Sequence, residues 1–362
     1  MARIIEAAVD LLARNQVVLS TTYGRPKQKK EHVIVRVKDE NGRCGYGEAT
    51  PLSKFTGETA EAVKTILEHE LLPLIIGLDS SEISTAHVKM DAQIFGNQAA
   101  KCAIDCAMYD LLSKTLEIPL AELLGGCFRN VVPINRHIGI VPFDEARQLA
   151  EQYRQEGFYS IKMKVGLDVE ADFQRIQIVR EVLGSKARIR VDGNNGMDWK
   201  NACALIEATR DFHLEFYEQL VPKWDLKGMR ELRLKYGVPV LADEAVSSIQ
   251  DAVKYAEAGA TDAFVIKLVK CGGLYPALGI AMVANAYKLP VVVTSTYDTQ
   301  IGCSACLALA CALPNASTAC DLTVFAGMPD FAETAHELVG MDLHYGKAPG
   351  IGVFSMVDYE MK

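Results

Sequence analysis

The stretch SIKMKVG, Ser160–Gly166, sets two lysines one residue apart inside an apolar run. Read as a strand, it points Lys162 and Lys164 to one face, because strand side chains alternate. Outward from this point the chain settles into a rhythm. Further short apolar runs read as strands: VVPINRHIGI (131–140), RIRVDGN (188–194), LEFYEQL (214–220), VPVLADE (238–244), DAFVIKL (262–268), LPVVVTST (289–296) and ASTACDL (316–322). Amphipathic stretches such as FDEARQLAEQYRQEG (143–157) and SIQDAVKYAEAG (248–259) lie between them, and both end at a glycine suited to a left-handed helix cap. Eight strands alternating with seven helices, in units of roughly 25 residues, predict an α/β fold whose parallel strands close into a barrel. The alternative is an open doubly wound sheet. It fits less well, since GLDVEADFQRI (166–176), after the second strand, lacks the glycine pattern of a dinucleotide site.

The first 130 residues read differently. HVIVRVKDENGRCGYGEA (32–49) predicts a β-hairpin turning at Asn41-Gly42, and TAEAVKTILEHELLPLIIG (59–77) and AKCAIDCAMYDLLSK (100–114) predict helices. The expected organisation is an α+β capping domain over residues 1–130 and a barrel over 131–325. A tail of about 326–362, which lacks the barrel rhythm, packs back on the first domain.

Composition narrows the function. A net charge of -8 argues against nucleic acid as a partner, which needs a basic face. No apolar run approaches the ~20 residues that span a bilayer. MARIIEAAVDLLARN (1–15) spreads its charges rather than following a basic start with an apolar block, so it does not read as a secretory signal. Ten cysteines are scattered through core-like segments such as IGCSACLALACAL (301–313), without metal-finger spacing. They read as reduced thiols of a cytoplasmic protein.

The acidic residues then fall at telling places. VDGNN puts Asp192 at the end of the third barrel strand, YEQ puts Glu218 at the end of the fourth, and ADE puts Asp243 at the end of the fifth. Carboxyl-terminal strand ends form the active face of such a barrel. Three carboxylates meeting there need a cation between them, and hard oxygen donors suit Mg²⁺ or Mn²⁺. Lys267 ends the sixth strand on the far side of this cluster, and Lys270 falls in the loop beyond it. The expected chemistry is abstraction of the proton α to a carboxylate, with the ion stabilising the resulting enediolate. Lys164, nearer the strand end, is assigned as the base, and Lys162 as the neighbour whose charge lowers the pKa of Lys164. Lys267 acts on the opposite face. Asn194 shares the Asp192 face and orients or binds substrate, whereas Glu244 points elsewhere.

With these residues in place the chain resembles the enolase superfamily, and within it the muconate-lactonizing-enzyme subgroup. GYGEATP (45–51) is similar to a first-domain element of that family, and AIDCAMYDLLSKTLEIPLAELLGG (103–126) to its helix leading into the barrel. Lys162, Lys164, Asp192, Glu218, Asp243 and Lys267 match its base, metal-ligand and opposing-lysine positions. The resemblance implies a (β/α)7β TIM-like barrel under an N-terminal α+β capping domain, an essential Mg²⁺ or Mn²⁺, a small-molecule carboxylate substrate and a homo-oligomer. Mandelate-racemase-like members carry a histidine at the seventh strand, and VVVTSTYDTQIG (291–302) has none.

The subgroup runs racemisation or epimerisation, muconate cycloisomerisation, and dehydration of the o-succinylbenzoate synthase type. Paired lysines permit the first without proving it, because the other members keep both. The leading expectation is a racemase or epimerase of an amino-acid-derived carboxylate, with the cycloisomerase and the dehydratase as alternatives. Dipeptide epimerases usually carry Asp-x-Asp at the eighth strand, and here Asp321 is followed by Thr323 in the second position. Asp298 and Asp321 are candidates to hold a substrate amine. LSTTYGRPKQKK (19–30) and PLSKFTG (51–57) are expected to close over the substrate, with Tyr23, Arg25, Lys54 and Phe55 as contacts.

Overall fold

The computed structural model describes residues 2–16, 18–326 and 331–356. The chain opens with three antiparallel strands in the order β1 (Ile4–Asn15), β2 (Lys29–Asp39) and β3 (Cys44–Ala49). The hairpin joining β2 to β3 turns at Asn41-Gly42, where Gly42 has φ +81° and Asp39 Oδ1 accepts from the amides of Asn41 and Arg43. β1 had no counterpart in the sequence reading. Only Ile4 and Val9 of its twelve residues are buried, so no alternating apolar pattern marks it.

The sheet lies on the long helix Gln98–Thr115 through two glycines of GYGEA. A Cβ at Gly45 would fall 2.2 Å from the Ala107 carbonyl oxygen, and one at Gly47 would fall 2.0 Å from that of Ala103. No side chain fits between strand and helix at these two places.

β4 (Val131–Pro133) precedes a parallel sheet of seven strands: β5 (Arg136–Ile138), β6 (Ser160–Lys164), β7 (Arg188–Asp192), β8 (Tyr217–Glu218), β9 (Val240–Ala242), β10 (Ala263–Ile266) and β11 (Val291–Val293). The eighth stave is shorter than ASTACDL promised. It reduces to Cys320 and Asp321, bridged in parallel to Ile134 and Thr294, and these bridges close the barrel. The chain then turns at once into a 3₁₀ segment, Thr323–Ala326. Seven helices alternate with the staves: Phe143–Gln155, Val169–Leu183, Trp199–Thr209, Leu226–Tyr236, Ile249–Glu257, Leu274–Ala286 and Gln300–Ala312. Side chains of Asp168, Asp198, Asp225, Ser248 and Thr299 accept from free amides at five of their N-termini. Gly157 and Gly259, past the ends of two of them, have φ of +85° and +60°.

VVPINRHIGI is not one strand. It changes partners at Ile134, so that β4 joins the C-terminal segment and only β5 opens the barrel. That segment forms β12 (Ala332–Thr334), β13 (Glu337–Val339), β14 (Asp342–His344) and β15 (Val353–Met356), with β14 antiparallel to β4 and β12 to β15. Gly350 exchanges backbone hydrogen bonds with Ile118 and Leu120, and Ile351 donates to Asp110, so the segment returns to the first-domain helix. Residues 327–330 and 357–362 of the expected 326–362 tail lie outside the described residues.

Candidate active site

Strand register builds the site. Lys164 on β6 stands opposite Asp192 on β7, and Asp192 stands opposite Glu218 on β8. Asp243 follows the end of β9. One carboxylate oxygen from each of Asp192, Glu218 and Asp243 lies within 4.8 Å of the others, and all three residues are fully buried.

Four lysines surround these acids. Lys164 Nζ donates to Asp192 Oδ2 at 2.6 Å. Lys162 Nζ meets three carboxylates: Glu218 at 2.6 Å, Asp321 at 2.9 Å and Asp192 at 3.1 Å. On the opposite bank Lys267 Nζ donates to Asp243 Oδ2 and lies 4.5 Å from the centre of the Phe55 ring. Lys270 is not a loop charge. It sits in the short helix Leu268–Cys271, buried, and donates to Asp243 Oδ1 at 3.0 Å and to the carbonyls of Asp243 and Val265.

This arrangement gives Lys162 more acidic partners than the sequence reading assigned it. Burial works to lower its pKa, but Asp192, Asp321 and Glu218 outweigh burial and hold it well above the ordinary lysine value. Lys162 thus serves as a countercharge to these carboxylates. Burial likewise opposes charge on Lys267, and Asp243 reverses the balance and raises its pKa. Burial pushes Glu218 up to about 8, with Lys162 opposing and the neighbouring acids reinforcing. Asp192 goes the other way, since Lys162 and Lys164 overcome burial and lower it.

The capping loop reaches down to this cluster. Tyr23 Oη donates to Glu244 Oε1 at 2.7 Å, Thr22 Oγ1 to the carbonyl of Gly193 at 3.0 Å, and Lys54 Nζ to the Tyr23 carbonyl at 2.6 Å. Glu244 was expected to point away from Asp243. Beyond the end of β9 the alternation no longer applies, and Glu244 is buried at the mouth beside Asn194 Nδ2, 3.4 Å away. Asn194, with φ +43°, also donates to Asp192 Oδ2.

The two acids expected to hold an amine stand apart. Asp298 does not line the cavity. Its Oδ1 accepts from Thr296 Oγ1, and burial together with nearby Glu48 raises its pKa. Asp321 lines the cavity, but its oxygens are engaged by Lys162, Asn135 and, more distantly, His137 and Arg190. Arg25 is exposed at the cavity rim, while Tyr23, Phe55 and Asn194 form its wall.

The cavity has a volume of about 540 Å³ and lies between the capping segments and the barrel mouth. Sequence reasoning missed His137, Tyr297 and Lys30 in its lining. His137, the middle residue of β5, makes a 2.8 Å contact with Tyr297 Oη through Nδ1. Lys30, the last residue of the GRPKQKK run, is buried with only 5% exposure. The signal for Lys30 was present: extending the alternation of HVIVRV two residues back puts Lys30 and His32 on one inward face.

The acid cluster fits a divalent cation. Glu218 Oε2, Glu244 Oε2 and Asn194 Oδ1 are buried without a hydrogen-bond partner among the described residues. Such orphaned oxygens are costly unless something electropositive meets them. Three convergent carboxylates are the hard donor set that Mg²⁺ or Mn²⁺ takes.

Comparison with known proteins agrees with this geometry. A family described as mandelate racemase / muconate lactonizing enzyme, N-terminal domain, matches residues 6–125, and one described as enolase C-terminal domain-like matches residues 144–355. The chain is 34% identical over 301 residues to an N-succinyl-L-Arg/Lys racemase of Bacillus cereus, covering 82% of this chain and 80% of the relative. It is 33% identical over 353 residues to a chloromuconate cycloisomerase of Pseudomonas sp., covering 95% and 94%. The dipeptide epimerase of Enterococcus faecalis, solved with Mg and the dipeptide L-Leu-L-Tyr, superposes with a TM-score of 0.93 at 31% identity, covering 97% of this chain and 99% of that one. The chain belongs to the mandelate racemase/muconate lactonizing enzyme family of the enolase superfamily, in its muconate-lactonizing subgroup.

Proposed function

We propose that this protein is a divalent-metal-dependent isomerase that removes the proton α to a carboxylate through an enediolate, and that it racemises or epimerises an amino-acid-derived acid. One observation carries the reading: Lys164 and Lys267 stand on opposite banks of one acidic cluster and line the same cavity. Asp192, Glu218 and Asp243 would hold the ion. When bound, it supplies positive charge that offsets the three carboxylates, receives the substrate carboxylate, and favours the neutral form of the neighbouring amines.

The chain's own groups do the rest. Neutral Lys164 takes the α-proton on one face, and protonated Lys267 returns a proton to the other, so the carbon inverts with no net loss of protons. In the reverse direction the two exchange parts. Lys162 stays charged between Glu218 and Asp321, and Lys270 fixes Asp243. The loop carrying Thr22 and Tyr23 covers the mouth and excludes water.

A muconate-type cycloisomerase is the second reading. The chloromuconate cycloisomerase matched over 95% of this chain favours it. That reaction calls for proton transfer on one side only. Incubating racemisable acids and muconates with the Mg²⁺-loaded protein in D₂O separates the two. The proposal expects α-deuterium in both stereoisomers of one acid. Lactone formation without α-exchange supports the second reading instead.

A further inference from the structure

Lys267 is a buried ammonium held by one acid. Its Nζ pairs with Asp243, and among the described residues no second carboxylate lies within ion-pairing reach. An ammonium carries three donors, so one acid leaves its direction loosely set. The other group against Nζ is a ring face rather than an acceptor. Phe55 lies over it with its ring centre 4.5 Å away, inside the roughly 6 Å over which an aromatic face attracts an ammonium. Lys164, across the cluster, pairs with Asp192, and among the described residues no ring covers it.

Phe55 does not come from the barrel. It belongs to the first domain, in the segment between β3 and the helix Ala60–Ile66, and it is half-buried in the cavity wall. The amides of Phe55 and Thr56 both donate to the Leu52 carbonyl, at 2.8 and 2.7 Å, which folds the segment into a tight turn. Lys54, the residue before the ring, ties that turn to the Tyr23 carbonyl, and Tyr23 donates in turn to Glu244 at the barrel mouth. Two capping loops, fastened to each other and to the barrel, therefore fix where the ring stands.

We propose that Phe55 is a positioning residue for Lys267, its ring face steering the ammonium toward the α-carbon from the β10 side. This rests on the α-proton reading above and adds that the first domain acts on proton transfer at one face only. A ring suits this part better than a second acid. A carboxylate that holds an ammonium also offers a basic atom to its proton, whereas a ring face attracts the charge and leaves the proton for the substrate. Asp243 is shared with the proposed ion, so its hold on Lys267 weakens once the cluster is loaded, and the hold of the ring does not.

The Mg²⁺-loaded protein is incubated in D₂O with each enantiomer of N-acetylleucine and of N-succinylleucine, and with L-Leu-L-Tyr and D-Leu-L-Tyr, and α-exchange is followed by mass spectrometry. Lys267→Ala identifies which stereoisomer of a pair presents its proton to Lys267. In Phe55→Leu, which keeps an apolar wall but removes the ring, exchange into that stereoisomer falls about 10-fold relative to its partner, through kcat rather than KM. Phe55→Tyr, which keeps the ring, restores the wild-type ratio. A wall that only shapes the cavity would slow both stereoisomers alike or raise KM for both. Either result overturns the inference, as does an unchanged ratio in Phe55→Leu. If the metal-loaded wild type exchanges none of these compounds, the α-proton reading itself has failed.

Discussion

The two banks of the site use their lysines alike and anchor them differently. Each bank has one lysine held by several partners and one held by a single acid, and of the four only Lys270 is missing from the cavity lining. On the β6 bank, Lys162 is clasped by Asp192, Glu218 and Asp321, while Lys164 has the single partner Asp192. On the β10 bank, Lys270 is held by Asp243 and two carbonyls, while Lys267 has Asp243 and the face of Phe55. The first bank buries its anchor among several charges inside the barrel. The second builds its anchor from one acid and backbone dipoles. The Lys-x-Lys spacing sets Lys162 among three carboxylates and Lys164 beside one of them. On the proposed function, this puts a countercharge beneath the amine that takes the α-proton.

The largest effect should separate the two working amines. Lys164→Ala and Lys267→Ala should each slow interconversion of enantiomers by at least about 10³-fold, the range that a positioned acid or base contributes. Each variant should keep solvent exchange on one stereoisomer and lose it on the other, in opposite senses. Following deuterium into separate enantiomers by mass spectrometry tests this. Loss of the same stereoisomer in both variants breaks the equivalence of the banks and leaves a single base.

The anchors should differ in what they cost the fold. Lys162→Met leaves three buried carboxylates short of a cation, so chemical denaturation in chelator should show a loss of about 3–5 kcal/mol. Added Mg²⁺ should recover part of it. Lys164→Met, with one ionic partner at the cavity edge, should lose less than half as much, and equal losses would erase the distinction between anchor and working amine. Lys270→Met should weaken Mn²⁺ affinity about 10- to 100-fold, because Asp243 loses the group that orients it. Unchanged or tighter binding in a metal titration would mean that Lys270 only neutralises charge.

The barrel is legible in the sequence because its strands and helices carry different periodicities. The acids were legible because register puts Asp192 and Glu218 side by side. Legibility failed where a strand ends. Alternation assigned Glu244 away from the site, but past β9 the backbone leaves the pleat and brings both Asp243 and Glu244 to the mouth. It failed for Asp298 too, since nothing in TSTYDTQIG reveals that Thr296 and Glu48 would enclose it. Lys30 was lost among neighbouring lysines, although only its place on β2 sets it apart. Glu48 was passed over within GYGEATP. It reaches across to the amides of Thr299 and Gly302, where the helix Gln300–Ala312 begins, a long-range contact that no local pattern encodes.

Comparing the banks also requires a pH at which the C-terminal segment stays docked, and His336 sets its lower limit. The neutral ring serves two neighbours: Nε2–H donates to the Ile351 carbonyl at 3.0 Å, and Nδ1 accepts from the Gly346 amide at 3.1 Å. A second proton on Nδ1 would face an N–H group and break that contact. Burial accordingly lowers the His336 pKa from 6.5 to about 4. The unfolded chain therefore binds the proton more readily between those values. The stability that neutral His336 provides is intact above about 6.5 and falls as pH drops toward 4. Since the ring is only partly buried, about 1–2 kcal/mol is expected from this group. Urea midpoints measured at pH 7 and pH 5 should differ by that amount in the wild type. The difference should shrink in His336→Gln, and an unchanged pH dependence in that variant would place the acid sensitivity elsewhere, most directly at the charged banks themselves.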